Sequence, residues 1–155
     1  MQQMQVAFWN VGQGNATIIR SPSQTNNKDN IFILDAGSKG NLPKPPLGFN
    51  QPDISTNQVV EDIVNWIQSN VSSITVIISH PDVDHFNLIN FILYNFLAKS
   101  SAVPILKLYI GKEYEGSNKY NELYSGLPRF YIDGPTGLDF AGNIVTDLKQ
   151  AFVVT

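Results

Sequence analysis

Apolar residues recur along this chain with two periods, and the switches between them mark out its elements. Residues 5–9, 16–20 and 31–34 are short apolar or alternating runs bounded by turn-forming residues, and they read as three strands. Residues 57–70 change period. Val59, Val60, Ile63, Val64 and Ile67 share one helical face, while Glu61, Asp62 and Gln68 face water and Trp66 packs at the edge of the core. Residues 74–78, Ile-Thr-Val-Ile-Ile, form a β-branched run typical of a buried strand. Residues 86–97 follow as a helix whose Leu88, Ile89, Phe91, Ile92, Leu93, Phe96 and Leu97 occupy nearly the whole circumference. Such a helix is covered on more than one side. Residues 104–110 return to strand. The alternation of strand and helix predicts an α/β domain built on a layered sheet.

Between these elements, residues 21–30 are polar and predict a surface loop. Residues 38–56 hold Pro43, Pro45, Pro46, Gly48 and Pro52 without periodicity, which predicts a lid, a binding loop or disorder, with Leu47 and Phe49 touching substrate or, the preferred reading, pinning the loop to the core. The pattern weakens after residue 110. It gives a short helix at 118–124, strands at 129–132 and 138–140 around the turn Asp133-Gly134-Pro135, and an apolar stretch at 145–154. Tyr114, Tyr120 and Tyr124 could stack on nucleobases, but ordinary surface or interface aromatics are the preferred reading.

Composition narrows the class. The 155 residues are 43% hydrophobic, enough for one buried core and one domain, 1–155. A net charge of −3 shows no basic excess of the kind that advertises nucleic acid. The absence of cysteine excludes disulfides and thiolate metal sites. Residues 1–5 carry neither a basic region nor an apolar core, so no secretory signal is read. No apolar run approaches the roughly 20 residues that span a bilayer. The expectation is a cytoplasmic protein without a transmembrane segment.

The candidate chemistry is concentrated in Ser79-His80-Pro81-Asp82-Val83-Asp84-His85, which contains both histidines of the chain. Imidazole and carboxylate are ligands for zinc and similar divalent ions. Four such groups within six residues suggest two neighbouring ions, one held by His80 and Asp82, the other by Asp84 and His85. A paired-metal site activates water and clamps a phosphoryl or carbonyl oxygen. Pro81 pushes His80 towards extended backbone. The bland alternative is a solvated loop in which Asp84 caps the following helix. Asp35, at the end of a predicted strand, is either a support to the ligands or a plain turn aspartate. Gly12 and Gly14 predict a tight hairpin turn.

His80-Pro81-Asp82-Val83-Asp84-His85 resembles the metal-binding motif of metallo-β-lactamase-fold hydrolases, with Asp82 where the usual pattern has its second histidine. In this form it is most similar to the hydrolase domain of ComEC-type competence proteins. Asn10-Val11-Gly12-Gln13-Gly14-Asn15-Ala16 resembles the Asp-Val-Gly-Gln-Gly-Asp-Ala turn of that subgroup, with Asn10 and Asn15 in place of its acidic residues. Ile33-Leu34-Asp35-Ala36-Gly37 resembles the strand-ending Asp-x-Gly motif of the fold. Phe86-Asn87 stands where small residues usually follow the last histidine. The resemblance covers about residues 6–110.

It implies a metallo-β-lactamase-like αβ/βα sandwich, of which this chain is the N-terminal half, with a mixed sheet and flanking helices. It implies a metal-dependent hydrolase using one or two Zn²⁺ ions, or Mn²⁺, and metal-activated water on a nucleic-acid or nucleotide phosphodiester. His80, Asp82, Asp84 and His85 would be the ligands, with Asp84 and Asp35 the carboxylates expected in catalysis. The chain has no histidine after His85, so the remaining ligands are expected in a further half of the domain. That half, or a homodimer partner, would then cover the exposed core. A different class of function is a binding or scaffolding module that keeps the fold without the activity.

Overall fold

The computed structural model describes residues 3–23, 26–39, 56–67, 70–100 and 104–110, together with Tyr120, Leu123 and residues 144–145. Five principal strands form one mixed sheet in sequence order: β1 (Gln5–Phe8), β2 (Ala16–Pro22), β3 (Asp29–Ala36), β4 (Val71–Ile78) and β5 (Ile105–Ile110). A two-residue strand, β6 (Ile144–Val145), lies beside β5. β1, β2 and β3 form an antiparallel meander, while β3, β4, β5 and β6 run parallel. Each parallel step requires a crossover, and the first two are seen among the described residues. Helices supply them: α1 (Thr56–Ile67) between β3 and β4, and α2 (Ile89–Lys99) between β4 and β5.

The strand register separates two faces. Ile18, Ile33, Val76 and Leu108 are cross-strand neighbours on one face, with Ile31, Ile74 and Leu106 in the next row, and all seven are buried. The helices cover this side and pack on each other, burying Val59, Val60, Ile63, Val64 and Ile67 from α1 and Ile89, Ile92, Leu93 and Phe96 from α2. The amphipathic face read for the first helix is therefore the face in the core. The opposite sheet face is also apolar, yet only partly covered among the described residues. Val6, Phe8 and Ile105 are exposed, and a groove of about 500 Å³ is lined by apolar Ile19, Phe32, Leu34, Ile77 and Tyr109 with polar Asn30, Ser73, Thr75 and Lys107 among them.

Several boundaries differ from the sequence expectation. The loop expected at 21–30 shrinks, because β2 continues to Pro22 and β3 starts at Asp29. β4 starts at Val71, three residues early. These extensions are polar, and they form because the polar groups satisfy one another. Asn30 Oδ1 accepts from Ser72 Oγ at 2.8 Å and from Ser73 Oγ at 2.7 Å, while Asp29 N–H donates to the Asn70 carbonyl at 2.9 Å. α1 is described to Ile67, with residues 68 and 69 of the expected helix outside the described residues, and α2 starts at Ile89, after the expected 86.

Trp66 sits at the core margin as expected, under the Arg20 guanidinium at 5.6 Å. Tyr120 is a correction: it is buried against Phe86, with ring centroids 5.7 Å apart, and is no surface aromatic. Tyr114, Tyr124, Leu47, Phe49, the strands expected at 129–132 and 138–140, and residues 146–154 lie outside the described residues. No helix among the described residues is long and apolar enough to cross a membrane.

Candidate functional site

In a parallel α/β sheet the carboxyl ends of the strands open towards the loops that carry chemistry. β3 and β4 are adjacent, and both of their carboxyl ends bear residues singled out from the sequence. Asp35 closes β3 with φ of 49°, a left-handed conformation uncommon for a residue other than glycine. Ser79 to His85 leave β4, pass through the exposed residues Asp82 and Val83, and tighten into a 3₁₀ turn over Val83–His85. This turn corrects the helix-cap alternative. Asp84 lies within the turn, and α2 begins four residues after His85 with no side-chain cap on Leu88.

Asp35 holds the loop. Its Oδ1 accepts from the Ser79 backbone N–H at 2.7 Å, and its Oδ2 accepts from the Ser79 hydroxyl at 2.8 Å. The same Oδ2 lies 3.0 Å from His85 Nδ1. The support role expected of Asp35 thus has definite partners, and the plain turn aspartate does not describe it. The Ser79 hydroxyl also lies 3.1 Å from His80 Nδ1 and 3.2 Å from His85 Nδ1. The two imidazoles meet with centroids 3.6 Å apart at a tilt of 54°. His80 is about half exposed and His85 mostly covered, with side-chain accessibilities of 47% and 15%.

Asp82 Oδ2 lies 3.4 Å from His80 Nε2, long for a hydrogen bond. Two tetrahedral ligands at about 2.0–2.2 Å from one ion stand roughly 3.3–3.6 Å apart. By donor type and by this spacing, His80 and Asp82 suit a shared divalent cation. Asp84 is half buried, and its side chain enters no ion pair among the described residues. The structure thus brings His80 beside His85 over Ser79 and Asp35, and Asp82 beside His80, while Asp84 contributes backbone. No three His, Asp or Glu side chains converge as one ligand set among the described residues.

A serine-nucleophile relay contacts serine through one ring nitrogen and the carboxylate through the other. Ser79 and Asp35 both face His85 Nδ1, so His85 forms no such relay. His80 has Ser79 at Nδ1 and Asp82 at Nε2, but at 3.4 Å the Asp82 contact is long for the hydrogen bond a relay needs.

Two glycines fit the three segments together. A methyl group on Gly37 would collide with the Asp84 carbonyl carbon, and would lie 2.5 Å from the Asp84 oxygen and 2.6 Å from His85 N. A methyl group on Gly14 would strike the Gly37 carbonyl. Gly37 N–H donates to the Asn15 carbonyl at 3.0 Å, and Leu88 N–H to the Ala36 carbonyl at 3.0 Å. The segments around residues 14, 37 and 84 are one packed backbone unit. Gly12 has φ of 78° and its N–H points to Asn10 Oδ1 at 3.3 Å, so Asn10 supports the turn locally.

Sequence reasoning missed two features. Asn87 exchanges hydrogen bonds with Ser38, donating to its carbonyl and accepting from its N–H, both at 2.8 Å. Phe86 is buried. The departure Phe86-Asn87 therefore anchors the loop. The second feature is Ser79, whose signal was only its place before a histidine.

Comparisons with protein-family models, with curated proteins and with solved structures find no match to this chain.

Proposed function

We propose that this chain is part of a metallo-β-lactamase-like domain and that its function is metal-dependent hydrolysis of a phosphodiester in a nucleic acid or nucleotide. The observation that carries this reading is the pair His80 and Asp82 at the carboxyl end of β4, with Nε2 and Oδ2 at ligand-to-ligand spacing, next to a His85 held by Asp35 at the end of β3. The fold reading is supported by helices on one face of a mixed sheet and an apolar second face, as a sandwich needs. The substrate class rests on the resemblance of the loop to the ComEC-type form.

Zn²⁺ or Mn²⁺ bound here would supply activation of water and polarisation of a phosphoryl oxygen. His80 and Asp82 are the pair that would hold it, with Asp84 and His85, the other ligands the resemblance implies, beside them in the chain. The remaining roles belong to the protein's own groups. Asp35 and Ser79 fix the loop from beneath, and Gly14 and Gly37 let it close on the sheet.

The test is metal content by elemental mass spectrometry after exchange into metal-free buffer, for the protein and for a His80→Ala, His85→Ala variant. Roughly stoichiometric zinc or manganese, absent from the variant, is the expected result. Hydrolysis of bis(p-nitrophenyl) phosphate by the metal-loaded protein would support the substrate class. Retained metal without turnover would favour a binding or scaffolding module. A folded chain that holds no metal would leave a site completed by the further half or a module without catalysis, and an extended chain that also holds none would end the hydrolase reading.

A further inference from the structure

The hydrogen-bond geometry around Ser79 assigns it a role that its position in the sequence did not announce. We propose that Ser79 is a positioning residue. It links His80 to Asp35, so that one carboxylate sets both imidazoles with hydrogen on Nδ1 and a free lone pair on Nε2. This deepens the metal-site reading and rests on it for its purpose, although the hydrogen-bond pattern stands without it.

The argument is a count of protons. A serine hydroxyl has one hydrogen to donate, and a carboxylate can only accept. Ser79 Oγ lies 2.8 Å from Asp35 Oδ2, the shortest of its contacts, and two oxygens at that distance require the hydroxyl hydrogen between them. That hydrogen is then unavailable to either ring. His80 Nδ1, 3.1 Å from the same oxygen, makes a hydrogen bond only as the donor. His85 Nδ1 lies 3.0 Å from Asp35 Oδ2 and 3.2 Å from Ser79 Oγ, both acceptors towards it, so it too carries hydrogen. His85 is oriented by Asp35 directly, and His80 through the hydroxyl of Ser79. In the neutral ring each is then left with Nε2 unprotonated, the form that ligates a metal; Asp82 Oδ2, 3.4 Å from His80 Nε2, lies beyond ordinary hydrogen-bond distance and so does not claim a proton there. The backbone N–H of Ser79 occupies the other oxygen of Asp35, so the carboxylate cannot turn away from this task.

The chain has only two histidines, so ¹⁵N-histidine labelling gives a ring spectrum of two residues. The measurement is made on metal-free protein, at a pH where the imidazoles are neutral. Both rings are expected to carry hydrogen on Nδ1. In Ser79→Ala, His80 is expected to shift to the Nε2–H form that an unrestrained histidine prefers, while His85 keeps its form. Ser79→Thr, which retains the hydroxyl, is expected to restore His80, and Asp35→Asn to release both rings. Zinc affinity, measured separately by competition with a chelating dye, should fall on the order of 10–100-fold in Ser79→Ala and recover in Ser79→Thr. A wild-type His80 already in the Nε2–H form overturns the proposal without any variant, as does a His80 unmoved in Ser79→Ala. The expected tautomers in a protein that does not bind zinc, alone or extended by the further half, would uphold the role of Ser79 and refute the metal reading.

Discussion

At the scale of the residue, the site depends on positions where a side chain is barred and on one where an unusual backbone is held. Gly37 has no room for a methyl group against Asp84 and His85. Gly37→Ala is expected to lower stability by about 1–3 kcal/mol, read as a reduced urea midpoint at unchanged slope, because the loop backbone must move. Asp35 combines left-handed backbone with three acceptor contacts. Asparagine tolerates that conformation and alanine does not. Asp35→Asn should therefore destabilise less than Asp35→Ala, and equal midpoints in urea would show that backbone strain does not matter there. Asp35 was visible in the sequence because it ends a strand beside a glycine. Ser79 was not, because a serine's partners depend on distances across 44 positions of chain, and no spacing rule encodes them.

At the scale of the element, α2 shows what periodicity reads and what it misses. Its apolar residues surround the helix, and the structure buries Ile89, Ile92, Leu93 and Phe96 while leaving Phe91 and Tyr94 exposed. Phe96→Ala is expected to cost about 3–5 kcal/mol and Phe91→Ala less than about 0.5 kcal/mol, a contrast that paired thermal or urea unfolding would test. A large loss from Phe91→Ala would mean that its face is covered in solution. The start of α2 was misread because Phe86 and Leu88 look helical by hydropathy. Both are buried in the turn instead, with Asn87 clamping Ser38 between them. Removing both bonds in Asn87→Ala should cost about 1–3 kcal/mol, since the Ser38 groups lose their partner. Strands were found wherever they were apolar. Their polar ends at Asp29, Asn30, Ser72 and Ser73 were not, because those residues suit a strand only once they meet.

At the scale of the whole molecule, the candidate site has no local existence. It needs the glycine turn after β1, the end of β3 and the loop after β4, and the last two come together only when β3 and β4 pair in parallel across a helix. The sequence showed the three segments separately, and the layered α/β class followed from their alternation. Which atoms meet required the register. The contact between the Ser79 amide and Asp35 has a consequence for exchange with solvent. Ser79 is an exposed residue, and an amide in such a place would ordinarily trade its hydrogen for deuterium at once. Its hydrogen is instead engaged by a carboxylate on the neighbouring strand. Exchange there should be slowed to the rate at which β3 and β4 separate, making this amide a clock for the opening of the parallel sheet.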